Sequence, residues 1–267
     1  MYELTCVAVL LAAYLVNTTM ISVFYHRGLA HQAVTLRPWA ERLAARAGIW
    51  VTGLDPKAWV CMHRRHHIYS DTPDDPHSPV RFGVFGVLLG QLRSYERTLV
   101  GLARNEPDYA DVVADLDFDI SWLNRRRVWF VPYLAHLVIA LAIAVPTGMW
   151  ALGACYWLGM MSHPIEGWIV NSFGHAVGGR NFDTPDNSRN NHVAAWLIVG
   201  EGFQNNHHRY PASARFSYRW WEIDLGYGLC LLLERLGVLA VERATLIPSY
   251  RGGVEAAAEP QSVSSAA

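Results

Sequence analysis

The chain is poor in charge, nearly empty of lysine and without paired cysteines. Asp, Glu, Lys and Arg make up 17% of its residues, against roughly a quarter in ordinary soluble domains. A net charge of −1 gives no electrostatic case for nucleic acid, because such binding rests on neutralising many phosphates. Lys57 is the single lysine and the other basic residues are arginines, a bias that hints at a bacterial chain. The cysteines, Cys6, Cys61, Cys155 and Cys230, form no C-x-x-C pair. That argues against a rubredoxin-like iron site and a structural zinc knot, and no disulfide framework is indicated. Cys6, Cys155 and Cys230 lie in apolar segments, where a small buried hydrophobe is the expectation. No Arg or Lys precedes Arg27. The first apolar run thus lacks the basic flank of a secretory signal and is expected to remain as a membrane anchor.

What the chain does have is apolar length. Three runs stand out, Leu4 to Tyr25, Val128 to Val145 and Met149 to Val170, the last two separated by the turn residues Pro146-Thr-Gly148. Each approaches the roughly 20 helical residues that a bilayer core requires. Arginines are scattered through residues 27–127, with Arg125-Arg-Arg127 just before the second run, and are absent from the 146–148 turn. The positive-inside rule then puts the N-terminus outside and both long polar regions in the cytoplasm. The expected fold is all-α: a polytopic membrane protein with about three transmembrane helices and a cytosolic helical cap. Residues 1–251 are read as one domain. Phe82 to Gly90 is too short to cross. Leu225 to Val241, interrupted by Glu234-Arg235 and preceded by Trp220-Trp221, reads as an interfacial amphipathic helix. Gly252 to Ala267 is Ala/Ser-rich and reads as a disordered tail.

Eight of the twelve histidines fall into four tight groups beside the apolar runs: His26 and His31; His63, His66 and His67; His175; and His207 with His208. On the three-span topology all four emerge on one face. Ionisable residues so close to a membrane are expensive and mark a site. His63, His66 and His67 share i, i+3, i+4 spacing, as do Gln204, His207 and His208, while Asn171 and His175 are four apart; each set can aim its members at one point on a helix. His26 and His31 are five apart, about 140° on an ideal helix, so they either converge from a frayed end or serve different ions. Eight imidazoles are too many for one metal ion and suit two; an all-nitrogen set without cysteine allows copper or iron. Asp71, Asp74, Asp75, Glu201, Glu222 and Asp224 lie near enough in sequence to support ligating imidazoles from behind. His77, His136, His163 and His192 read as structural hydrogen bonders.

At these residues the chain resembles the membrane fatty acyl desaturases, in particular the acyl-CoA branch. His26-Arg-Gly-Leu-Ala-His31 is similar to the first family box. Trp59 with His63-Arg-Arg-His66-His67, Ser70-Asp-Thr72 and Asp75-Pro-His-Ser78 is similar to the second. Trp168-Ile-Val-Asn171-Ser-Phe-Gly-His175 resembles the asparagine–histidine element. Asp186-Asn-Ser-Arg-Asn-Asn191, Gly200-Glu-Gly202, Gln204-Asn-Asn-His207-His208 and Trp221-Glu-Ile-Asp224 resemble the third-box region. The resemblance implies two iron ions that activate O2 and remove two hydrogens from a long-chain acyl substrate, a CoA thioester or lipid, leaving a cis double bond of Δ9 type. By position it makes His26, His31, His63, His66, His67, His175, His207 and His208 metal ligands, with Asn171 acting through a water and Gln204 a further candidate. Asp71, Asp75, Glu201 and Asp224 are the supporting carboxylates it favours.

Two positions depart from the family pattern. Gln204 stands where the acyl-CoA branch usually has histidine, and one apolar run precedes the first box where the family usually has two. No haem or rubredoxin segment accompanies the motifs, so electrons are expected from a separate donor such as a ferredoxin or a cytochrome b5-like protein. Arg64, Arg65, Arg209, Arg215 and Arg219 read either as contacts for that donor or a CoA carrier, or as headgroup arginines. The expected location is a bacterial inner membrane, multi-pass, with the site on the cytoplasmic side. A hydroxylase on the same scaffold is the rival enzyme, and a metal transporter the rival of another class; the latter needs ligands inside the spans, where only His136, His163 and Glu166 lie.

Overall fold

A computed structural model describes residues 1–245 and is mostly helical. The elements that matter are α1 (Tyr2–Ala30), α2 (Pro38–Thr52), α3 (Pro56–Tyr69), α4 (Val87–Ala103), α5 (Val131–Thr147), α6 (Trp150–Met160), α7 (His163–Trp168), α8 (Gln204–Arg209) and α9 (Leu225–Arg235). One-turn helices and loops join them. Two three-residue strands, β1 (Val34–Leu36) and β2 (Leu239–Val241), pair antiparallel with Val34 opposite Val241, a small exception to the all-α expectation.

Local chemistry sets the helix ends near the site. Asp55 caps α3 by accepting from the Lys57 and Ala58 amides at 3.0 and 3.2 Å, and Pro56 follows at the first helical position, where its missing N–H costs nothing. α9 is capped in the same way by Asp224, which accepts from the Tyr227 amide at 2.8 Å.

α1 has two different halves. Up to Thr19 it is α-helical, and Leu4, Val7, Leu11, Leu15 and Val16 are exposed. From Met20 to Ala30 it is π-helical and buried at every residue but Ile21. There Val23, Tyr25 and Leu29 pack with Ala40 and Ala44 of α2, Val60 and Cys61 of α3, Cys230 of α9 and the strand pair. Apart from Glu3 at its start, the outer half of α1 and the exposed Leu137, Val138, Leu141 and Val145 of α5 form an apolar surface suited to lipid.

Among the described residues α1 is the one helix long and apolar enough to cross a bilayer; α5 is apolar but 17 residues long. The third run, expected to be a single span, is broken: α6 stops at Met160 and the chain restarts at His163-Pro164. A break at that depth leaves helix-end carbonyls to be satisfied. Asn17 of α1, fully buried, donates to the Met160 carbonyl at 2.5 Å. Likewise the expected helix over 225–241 ends at Arg235 and continues as β2. The expected tail over 252–267 lies outside the described residues.

α1, α5 and α6 pack through small residues, as helices in lipid do. A Cβ on Gly159 of α6 would lie 2.6 Å from the Leu10 carbonyl, and one on Gly153 would lie 2.4 Å from the Ala140 carbonyl. Backbone cannot step aside as a side chain can. Gly159→Val is therefore expected to destabilise the protein by about 1–3 kcal/mol, read as a lower unfolding temperature in detergent with helix content unchanged.

Candidate metal centre

The π-helical end of α1 brings the first box together. In a π-helix the bond runs from i to i+5, and the His31 amide donates to the His26 carbonyl at 3.1 Å. Residues five apart, far round an ideal α-helix, thus face the same way. His26 and His31 join His63 and His67 from α3 and His207 from α8; one nitrogen from each of the five lies within 4.8 Å of all the others. The closest approaches are His31 to His63 at 2.7 Å, His67 to His207 at 3.0 Å and His26 to His207 at 3.1 Å, all between Nε2 atoms. Trp59, one turn before His63, stacks on that ring at 5.0 Å.

His66, His175 and His208 form a second group on the same 4.8 Å criterion. The boxes therefore do not each serve a single point. His66 parts from His67, and His208 from His207, because successive helical residues are about 100° apart; His63 stays within about 40° of His67, so two groups lie side by side across α3 and α8. His175 is delivered by a second π-helical stretch, Ile169–Phe173, at the end of α7.

Each member of the second group is held from behind by a carboxylate. His66 Nδ1 meets Asp75 at 2.9 Å, His175 Nδ1 meets Asp71 at 2.9 Å, and His208 Nδ1 meets Asp186 at 2.5 Å. Such pairs fix the tautomer with the proton on Nδ1 and leave Nε2 as a lone-pair donor. The three Nε2 atoms are buried and have no hydrogen-bond partner among the described residues. Three orphaned donors converging in a dry space are what a metal ion would satisfy. In the first group His26 Nδ1 meets Glu201 at 2.7 Å.

Electrostatics favour the same reading. Burial first, and the crowding of neighbouring imidazoles second, push His31, His63, His67 and His207 well below the ordinary histidine value, so they are neutral, as ligands must be. Burial would raise the carboxyls of Asp71, Asp75 and Asp186, but their histidine partners hold all three below the usual range. Glu201 is held at about 2: burial works against it, and His26 and Arg27 outweigh burial.

Arg27 ties the first box to the third. It is fully buried. Nε donates to the Ala214 carbonyl at 2.9 Å and Nη1 to Glu201 Oε1 at 2.5 Å, Nη2 lies 3.4 Å from Asp224, and Cζ sits 3.8 Å over the Phe216 ring.

Of the carboxylates expected behind the histidines, Asp71, Asp75 and Glu201 take that role. Asp224 does not: it holds Arg27 and the Phe216 and Tyr227 amides. Glu222 binds Asn181 and Asn206 instead. Asp186, not expected, supports His208; its signal was its place at the head of the Asp-Asn-Ser-Arg motif. Gln204 is buried, and its amide nitrogen donates to the Glu201 carbonyl at 2.7 Å, so its oxygen is the end left to offer. Asn171 Nδ2 lies 3.5 Å from Gln91 Oε1. His136 is the expected hydrogen bonder, with Tyr156 at 2.8 Å and the Trp50 carbonyl at 2.7 Å. His77 is not one: it is buried beside His66, ring centroids 4.4 Å apart, and neither nitrogen has a partner among the described residues. Arg64 is likewise committed inside the protein, to Asp115 and the Leu29 and Ala30 carbonyls.

The family model described as fatty acid desaturase matches residues 4–227. Similar proteins include a hex-5-enoyl-[acyl-carrier protein] acetylenase of Moorena producens, 35% identical over 87% of this chain and 75% of that protein. An acyl-CoA C20 Delta5-desaturase of Anemone leveillei is 34% identical over 80% of this chain and 66% of its own length. Delta-9 acyl-lipid desaturase 1 of Arabidopsis thaliana is 32% identical over 86% of this chain and 72% of its own length.

If the first group holds metal, His207→Ala is expected to abolish activity and reduce bound metal while leaving membrane insertion intact, because one of its five imidazoles is lost and no apolar run is altered. Asp186→Asn is expected to weaken metal affinity by about 10–100-fold, measured as metal retained against a graded chelator, with helix content unchanged.

Proposed function

The chain belongs to the fatty acid desaturase family, oxidoreductases of lipid metabolism, and from that premise we propose that it is an O2-dependent fatty acyl desaturase that places a cis double bond in a saturated chain using two iron ions. His26, His31, His63, His67 and His207 hold one ion. His66, His175 and His208 hold the other, with Asn171 through a water and the Gln204 oxygen as a further donor. The observation that carries this reading is the convergence of eight imidazoles into two adjacent groups at the head of a largely apolar cavity. When bound, the iron pair supplies an oxidant strong enough to take two hydrogens from unactivated methylenes.

The chain's own residues do the positioning. Ile21, Met62, Val170 and Ile198 line the cavity that His26 and His63 also face; these apolar walls bind methylenes and keep water from the reacting carbons. Asp71, Asp75, Asp186 and Glu201 keep the imidazoles oriented. We read the bond position as Δ9 type and the carrier as coenzyme A, on the resemblance to the acyl-CoA branch; the similar proteins are named for carrier-protein, CoA and lipid substrates in turn. Electrons come from a separate ferredoxin or cytochrome b5-like donor. The protein lies in the cell membrane as a multi-pass chain with its site on the cytoplasmic side; the apolar outer faces of α1 and α5 and the arginines that begin at Arg27 support this.

The test is a mass-spectrometric profile of total fatty acids from cells expressing the wild type or His207→Ala, each co-supplied with a ferredoxin and its reductase. New monounsaturated chains in the wild type alone are expected, and derivatisation locates the bond. Hydroxy acids in their place would move the assignment to an oxygenase. Absence of both product and bound iron in the purified protein would overturn it.

A further inference from the structure

The cavity below the histidine groups closes on a polar floor. Its walls are α1 on one side and α7 with its π-helical continuation on the other. Thr18 lies eight residues before His26, and His163 eight residues before Asn171, so both sit roughly 10 Å from the metal end. At that depth Thr18 Oγ1 donates to Glu166 Oε2 at 3.0 Å, and the Ser162 hydroxyl donates to the other carboxylate oxygen. His163 approaches the Tyr133 hydroxyl with Nε2 at 3.3 Å, and its buried Nδ1 has no partner among the described residues. His163 and Glu166 are 6% and 7% exposed, and both line the cavity. Close by, Ala13 packs with Met160 and Met161, and Asn17 holds the Met160 carbonyl.

An alkyl terminus is a poor match for this floor. A methyl group set against the unpaired imidazole nitrogen of His163 strips it of water and returns no hydrogen bond, a cost of about 1–3 kcal/mol for a group so left, and it sets hydrocarbon against a Glu166 carboxylate held only by Thr18 and Ser162. Leucine or phenylalanine at these positions would suit a plain chain better. The polar groups are matched by a ligand atom that can both donate and accept. Resting on the desaturase reading, we propose that the cavity takes an acyl chain carrying a hydroxyl group at or near its distal end, with His163 and Glu166 as its hydrogen-bond partners.

The experiment measures equilibrium binding of CoA thioesters from decanoyl to octadecanoyl, each plain and ω-hydroxylated, to the full chain in detergent. Turnover of the same compounds is followed separately. The wild type is expected to bind the hydroxylated member about tenfold tighter at the length that reaches the floor. His163→Leu and Glu166→Leu are expected to bring the two forms to near parity, whereas His163→Asn, which keeps a donor and an acceptor, retains part of the preference. A wild type that binds the plain chain as well at every length overturns the proposal, as does a preference that survives both leucine variants. Helix content checks that each variant is folded. Because binding decides the proposal and product formation decides the desaturase reading, either can fail without the other.

Discussion

A fully buried guanidinium is intolerable without partners, and the way Arg27 finds them organises the site. Stripping such a charge of water costs several kcal/mol unless every donor is met. Besides Ser22, five residues before it, the partners come from a distant part of the chain: Ala214, Glu201, Asp224 and the face of Phe216. Glu201 is the pivot, because its other oxygen receives His26 Nδ1. One carboxylate thus neutralises the cation that locks the first box to the third and orients a histidine of the first group. Removing it would leave a buried charge and a loose imidazole together.

The two histidine groups follow from helix geometry applied twice. Consecutive residues on a helix diverge, and residues three or four apart converge. On α3, His63 and His67 lie about 40° apart, whereas His66 falls on the other side of His63, about 100° from His67; α8 divides the consecutive His207 and His208 in the same way. The spacing of the two groups is set by backbone, since each strand of support is a helix face rather than a flexible side chain. The soluble di-iron bundles reach two metals with glutamates instead.

Much of this was legible in the residues themselves. The eight histidines, three of their four supporting carboxylates and the helical class could be read from spacing and apolar length. His26 and His31 could not be resolved by an α-helical rule, because their convergence depends on i→i+5 bonds that no propensity scale marks. The division of the second and third boxes between two groups was hidden for a different reason: spacing says which residues share a face, not how many sites that face borders. Asp186 supports an imidazole and Asp224 does not, because a carboxylate's partner is fixed by tertiary approach across loops. The run from Met149 to Val170 is uniformly apolar in composition, and its break is visible only in the His163-Pro164 pair and in Asn17, a remote residue that satisfies the interrupted backbone.

The sequence separation of the clustered histidines bears on how the protein is made. His26 meets His207 across 181 positions, and each histidine group takes one member from α8. During synthesis, at about 5–20 residues per second, α1 and α3 are complete long before α8 leaves the ribosome. For that interval neither group exists as a finished cage, and the paired Arg27 has not met its acids. On the proposed two-iron reading, metal acquisition falls after the polypeptide is essentially whole, so a cell short of metal would accumulate full-length apoprotein, not truncated chains.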